Sequence, residues 1–349
     1  MAETKTVKAR DYYFDNAKFI LIFLVVFGHL MQPFVADYDS VHILYIFIYT
    51  FHMPAFILIS GYFAKGFRKS GYLKKTLKKL ILPYLLFQLI YSIFYYFLLS
   101  ESSYSLTFLD PEWSLWFLLS LFFWNLMLLG FARLKPAFAL GIAFLFGLVA
   151  GYFDGIDGFL SLSRTFVFFP FFLAGFFLEK KHFQLAQKHI AKWLGVAIFL
   201  LILTFIIISP DLNENWFLGS KPYADFVDIK TLGLVIRMLI YLISFAAVAA
   251  FFTLVPKRRF FFTSWGKNTL YVYLLHGFFI KTLRESGMAD TRYTLETFLI
   301  LLAISFGLTA VLSSKFVTTA VQPVVELKVN KLKTVFLRNK ERRLSHGSY

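Results

Sequence analysis

His29 lies deep in the first apolar stretch of the chain, and one helical face leads from it back to two charges. The segment reads Asp15-Asn-Ala-Lys18-Phe-Ile-Leu-Ile-Phe-Leu-Val-Val-Phe-Gly28-His29. At about 100° per residue, Lys18 and His29 fall within roughly 20° of each other, and Asp15 lies about 40° away on the same side. A rise of about 1.5 Å per residue puts Lys18 about 16 Å below the imidazole and Asp15 about 21 Å below it, too far to orient the ring directly. A neutral imidazole at such a depth can take a proton from a hydroxyl. The pattern predicts a catalytic group inside a membrane.

Other polar side chains sit in apolar surroundings, where each is costly and needs a reason. His52 lies in Phe51-His52-Met53-Pro54, roughly ten residues from the outer end of the second stretch, and Pro54 is expected to kink that helix. His276 lies about eight residues from the inner end of the ninth stretch. Counted from their respective ends, His29, His52 and His276 all come near the bilayer middle. Arg164 opens the sixth stretch, and Arg237 lies deeper in the eighth, where a buried partner is expected. Plainer roles exist for each type. Membrane histidines serve as interhelical hydrogen bonders, an arginine at a span end snorkels, Trp113 and Trp116 fit an interfacial belt, and Gly141, Gly147 and Gly151 fit close helix packing. No His-Glu-x-x-His and no carboxylate at ligand spacing accompanies the histidines, so no metal is expected. Ser60 follows His52 by eight residues, about 12 Å along a helix, which argues against a serine nucleophile served by that ring.

These groups must be positioned by membrane helices. The 349 residues are 58% hydrophobic and 16% charged, with mean hydropathy +0.67, whereas soluble domains carry about 25% charged residues. There is no cysteine, hence no disulfide, thiolate metal site or cysteine nucleophile. Ten apolar stretches near 17–34, 42–63, 81–99, 114–131, 138–153, 166–178, 193–209, 232–254, 268–283 and 297–314 are long enough, or nearly so, to cross about 30 Å of hydrocarbon. The sixth is the shortest. With the N-terminus cytoplasmic, the inner segments together with Lys18 at the inner end of the first stretch hold 29 of the 36 Lys and Arg, and the inner segments only 6 of the 20 Asp and Glu. That asymmetry places both termini inside and assigns the net charge of +16 to a membrane surface rather than to nucleic acid. The chain therefore reads as an all-α polytopic membrane protein of about ten transmembrane helices.

The first stretch lacks a small-residue cleavage pattern, so it is expected to remain as a span. The hairpin 64–80 holds Lys65, Arg68, Lys69, Lys74, Lys75, Lys78 and Lys79 without an acid, and an interfacial basic helix is expected there. Residues 1–320 form one membrane domain in this reading, and 321–349 a basic cytoplasmic tail on the anionic inner leaflet. No extracytoplasmic domain is expected after the last span.

A polyanionic donor from the cytosol would be drawn to Lys18 and the basic hairpin. Coenzyme A has that character, with phosphates at one end and a thioester at the end of a narrow arm. The roughly 16 Å from Lys18 to His29 is the order of length such an arm covers.

Several segments together resemble the integral-membrane acyltransferase type 3 family. Asp15-x-x-Lys18 with a downstream Gly28-His29 is similar to its first-span signature, with Arg10 at the leading arginine. His52-Met-Pro-Ala-Phe-Ile-Leu-Ile-Ser60-Gly61 resembles its second-span motif, and Lys79-Leu-Ile-Leu-Pro83-Tyr84 the start of its third. Trp116-Phe-Leu, Pro170-Phe-Phe-Leu-Ala-Gly175 and Gly266-Lys-Asn-Thr-Leu-Tyr-Val-Tyr-Leu-Leu-His276-Gly resemble the fucose O-acetylase branch. The resemblance implies ten-helix enzymes that move an acetyl group from cytosolic acetyl-CoA to hydroxyls of cell-envelope or exported glycans, in a bacterial inner membrane. It implies His29 as the essential histidine and the basic inner face as the coenzyme site, with Arg10, Lys18, Lys75, Lys78 and Lys79 about the phosphates. Lys18 and Lys79 stand where arginine is common, so charge is kept and the planar two-pronged contact is lost.

Asp15 is expected to organise the cationic mouth, and His52, Trp116, Arg164 and His276 to shape the acceptor side. The acceptor is a glycan or lipid-linked sugar; the oligomeric state stays open, a homodimer included. Two rivals use the same residues. A transporter or flippase for an anionic lipid-linked sugar would use the histidines as a proton relay, but it predicts inverted repeats and none is seen. A scaffolding subunit leaves the buried polar groups unexplained.

Overall fold

The computed structural model describes residues 11–98, 107–156 and 158–326. Among them there are helices, turns and no strand, as expected of an all-α polytopic membrane protein. The helices are α1 (Tyr12–Met31), α2 (Asp39–Tyr49), α3 (His52–Phe63), α4 (Tyr72–Leu98), α5 (Trp116–Phe131), α6 (Pro136–Ala150), α7 (Leu162–Phe177) and α8 (Lys180–Ala186). They continue as α9 (His189–Ile207), α10 (Asn215–Leu218), α11 (Lys230–Leu254), α12 (Thr269–Glu285), α13 (Leu295–Leu312) and α14 (Lys315–Val325). All ten apolar stretches are helical. Among the described residues, seven helical segments are long and apolar enough to cross a membrane, α5 and α6 are shorter apolar helices, and α12 has 17 residues.

The start of α1 is anchored across the molecule. Asp11 caps it by accepting from the Tyr13 backbone N–H at 3.2 Å. Asn16 is wholly buried and donates to the carbonyls of Pro256 and Arg258, both at 2.8 Å, while its own oxygen accepts from Thr263 Oγ1 at 2.6 Å. The Tyr13 hydroxyl reaches the Phe252 carbonyl at 2.5 Å, and Gly266 lies against the Asp15 backbone so closely that a Cβ would overlap it. These bonds fix the turn that carries Asp15 and Lys18.

The second stretch is one span, Asp39–Gly66, kinked as expected. The chain breaks at Thr50–Phe51 between α2 and α3, and Pro54 sits in the first turn of α3. A proline ring clashes with the carbonyl four residues before it, here Thr50, and is tolerated in the first turn of a helix. The break brings His52 to a helix start, with its Nδ1 at 2.9 Å from the Ile48 carbonyl.

The basic hairpin differs from the expected interfacial helix. Residues Ala64–Gly66 form a short 3-10 turn, Gly71 takes φ 73°, and one helix then runs from Tyr72 through Pro83 to Leu98. The expected interfacial helix is thus the basic beginning of the third span. At the other end, α14 crosses position 321, and the tail beyond 326 lies outside the described residues.

α3 and α7 make the tightest crossing. Gly61 faces the Phe172 carbonyl and Gly175 faces the Leu58 carbonyl, each too close for a Cβ. Of the glycines in α6 and just past its end, Gly147 meets the Tyr241 hydroxyl and Gly151 the Tyr223 ring, whereas Gly141 has nothing near it. Close packing accounts for the first two and not the third. Arg237 is buried on the Trp216 ring at 5.3 Å and donates to the Trp216 carbonyl at 2.5 Å.

Candidate active site

At the N-terminal end of α1, Lys18 Nζ pairs with Asp15 at 3.1 Å; the side chains are 22% and 5% exposed. Asp15 thereby fixes the cation at the mouth. Lys18, Lys75 and Lys79 line one open cleft of about 390 Å³ between α1, α3, α4 and α5. Tyr72 closes one wall by donating to Asn125 Oδ1 at 2.7 Å. Lys78 is exposed on α4 and is not among the lining residues, because residues four apart share a helix face and its neighbour Lys79 follows Lys75. Arg10 lies outside the described residues.

The cleft continues inward. Phe56, Ser60, Leu80 and Leu121 line it and also line a more enclosed, apolar cavity of about 220 Å³ that reaches Met53, Phe117 and Tyr273. Ser60 donates to the Phe56 carbonyl at 2.9 Å. Beyond the cavity, the Tyr273 ring lies 5.7 Å from Phe117 and 6.3 Å from the His276 imidazole. A charged mouth therefore adjoins an apolar cavity whose wall includes Tyr273, the ring neighbour of His276.

His29 and His276 come together, with ring centroids 5.6 Å apart, and Trp113 packs on both at 4.4 and 5.2 Å. The His276 Nδ1 is 3.0 Å from the Val272 carbonyl, while its Nε2 and the His29 Nδ1 are buried without a hydrogen-bond partner. Arg284 donates to the His29 carbonyl and, at 2.8 Å, to Gln32 Oε1. His29 lies in the last turn of α1, not midway along it, because the α-helix ends at Met31, where Pro33 and the 3-10 turn Gln32–Phe34 follow. His52 stands one ring away: the Tyr49 ring lies 4.4 Å from it and packs against Gly28, next to His29. Trp116 and Arg164 pair with each other at 5.1 Å, and Trp116 stacks on Phe168 at 5.6 Å.

Trp113 reaches the imidazoles from the segment before α5. It adopts φ 40°, a left-handed conformation that costs a non-glycine residue of order 1–3 kcal/mol. Surrounding bonds hold it there. Gln88 donates to the carbonyls of Thr107 and Asp110 and accepts from the Glu112 N–H, and the Tyr273 hydroxyl donates to the Ser114 carbonyl. Composition alone reads Trp113 as a belt residue, which misses this contact. Arg284, Gln32 and Asn16 were likewise not legible. The one available signal was that Lys281 and Arg284 stand at the outer end of the ninth stretch, where the positive-inside rule disfavours cations.

The comparisons with known proteins show the family. The family model described as an acyltransferase domain matches residues 11–314. The nodulation protein NolL of Sinorhizobium fredii is 50% identical over 60 residues, and that of Mesorhizobium japonicum 47% over 60, in each case 16% of this chain and 16% of the relative. The chain thus matches less than a fifth of the length of these curated relatives. No solved structure matches. With nearly its whole length covered by the family model, the chain belongs to the integral-membrane acyltransferase type 3 family.

Proposed function

We propose that this acyltransferase moves an acetyl group from cytosolic acetyl-CoA to a hydroxyl of a cell-envelope or exported glycan, in a bacterial inner membrane. The observation that carries the reading is the shared lining of the lysine cleft and the apolar cavity, which leads from Lys18, Lys75 and Lys79 toward Tyr273. Such a passage suits a donor with phosphates at one end and an uncharged arm ending in a thioester. Phosphates meet the lysines, the arm lies along Ser60 and Met53, and the thioester approaches His29 and His276.

His29 acts as the base. As the acceptor hydroxyl attacks the thioester carbonyl, the imidazole takes its proton and a C–O bond forms. Collapse of the tetrahedral intermediate breaks the C–S bond, and the imidazolium returns the proton to the leaving thiolate. The unpartnered Nδ1 of His29 supports this role, since a base needs a lone pair not already spent on a hydrogen bond. Arg284 holds the His29 backbone, and Trp113 fixes the space between the two rings.

The test is release of free coenzyme A from acetyl-CoA by purified protein in nanodiscs, wild type beside His29→Ala, with glycan acceptors supplied. Turnover by the wild type and its loss in the variant, with coenzyme A binding retained, is the expected result. Absence of binding and turnover in both would turn the reading toward a transporter of anionic lipid-linked sugars.

A further inference from the structure

Gly277, Lys281 and Arg284 are spaced four and three residues apart, so they share one face of α12. That face carries the Trp113 ring. A Cβ at Gly277 would overlap the indole, and the charged groups of Lys281 and Arg284 lie over it at 5.8 and 5.9 Å. Lys281 also lies 5.3 Å from the Tyr95 ring centroid. Among the described residues, neither Lys281 nor Arg284 makes an ion pair.

Arg284 is only partly committed. Its Nη2 serves the His29 carbonyl and Gln32, but its Nε is buried without a partner, and so is the Tyr95 hydroxyl. Glu112, a carboxylate of the adjoining segment, accepts from the Ser92 hydroxyl at 3.4 Å, and it and Glu285 attract Lys281 without forming an ion pair with it. Neighbouring like charges repel, and a buried donor left unpaired forfeits its hydration. An oxyanion would relieve both costs, with charge-assisted hydrogen bonds to each donor.

We infer that Lys281, the open edge of Arg284 and the Tyr95 hydroxyl bind an anionic group on the acceptor and so hold its hydroxyl beside His29. This rests on the acyl-transfer reading above. The anion belongs to the acceptor because the donor phosphates have their own cleft at the opposite end of α1, lined by Lys18, Lys75 and Lys79. The Trp113 face supplies the apolar platform on which a sugar ring stacks next to the anion. Two sources share this chemistry: a phosphate diester joining the sugar to a lipid, and the carboxylate of an acidic sugar.

The experiment uses the full chain in nanodiscs at saturating acetyl-CoA, with one oligosaccharide in three forms: neutral, linked through phosphate to a short polyprenyl chain, and oxidised to a uronic acid. In the wild type, kcat/KM for at least one anionic form exceeds that for the neutral form about tenfold or more, as one charged hydrogen bond allows. The preferred form identifies the source of the anion. Lys281→Ala lowers the anionic-to-neutral ratio about tenfold, and Lys281→Arg restores it. A wild-type ratio near one, or a ratio untouched by Lys281→Ala, overturns the inference.

Binding of glucose 1-phosphate, read by tryptophan fluorescence with Trp113→Phe as the blank, separates the two claims. Binding that depends on Lys281 without turnover of any acceptor keeps the anion site and removes the acyl-transfer reading. Turnover without anion preference and without sugar-phosphate binding removes the anion site alone.

Discussion

Placing a methyl group at Gly61 should force α3 and α7 apart. The added Cβ falls on the Phe172 carbonyl, and at Gly175 the corresponding atom falls on the Leu58 carbonyl. Backbone atoms cannot swing aside as a side-chain tip does, so relief requires the helices to separate. Overpacking of this kind costs about 1–3 kcal/mol per site, and in a membrane the lost van der Waals contact is not offset by a hydrophobic gain. Because both glycines serve one crossing, separation forced by the first methyl makes room for the second. Gly61→Ala combined with Gly175→Ala should therefore cost less than the sum of the two, by about 1 kcal/mol or more. Activity should fall with stability, since α3 lines the passage through Phe56 and Ser60. Thermal unfolding in detergent, with acetyl-CoA turnover alongside, measures both. Gly141→Ala is the control: nothing lies near its Cβ, and alanine is the better helix former by about 1 kcal/mol. Unchanged melting in Gly61→Ala and Gly175→Ala, or strict additivity of the pair, would refute the reasoning.

Replacing Lys75 and Lys79 together with alanine should raise the KM for acetyl-CoA about 3- to 10-fold at low salt, each exposed contact being worth up to about 1 kcal/mol. The difference should shrink as salt is added, which a KM series against ionic strength reads directly. Arg284→Lys, which removes the Nη2 that serves both the His29 carbonyl and Gln32, should lower kcat about tenfold with the KM for acetyl-CoA little changed. A rise in that KM without a fall in kcat would assign Arg284 to donor binding instead. Asn16→Ala takes their partner from the carbonyls of half-buried Pro256 and exposed Arg258 and from the buried Thr263 hydroxyl; the buried group alone costs about 1–3 kcal/mol, and a fall in melting temperature larger than that of Lys75→Ala should follow.

The amino-acid sequence by itself determined the membrane class, the ten apolar segments and the face of α1 that joins Lys18 to His29. Hydropathy, charge asymmetry and the 3.6-residue period are local properties, readable wherever one helix stays unbroken. Lys75 and Lys79 were legible for the same reason, since four residues bring them to one side of α4. The kink of the second span was legible from Pro54, but its place was not, because a proline's effect is felt four residues upstream, at Thr50. Gly61 and Gly175 were visible as motif residues, but not as each other's packing partners, because nothing local selects which helix crosses which. The site itself was decided by tertiary structure. Arg284 meets a carbonyl 255 residues away, Asn16 is held from a loop about 240 residues on, and Trp113 reaches two imidazoles from a loop. Such contacts follow from how the helices pack and how the connecting segment is pinned, and neither is encoded in a residue's own neighbours along the chain.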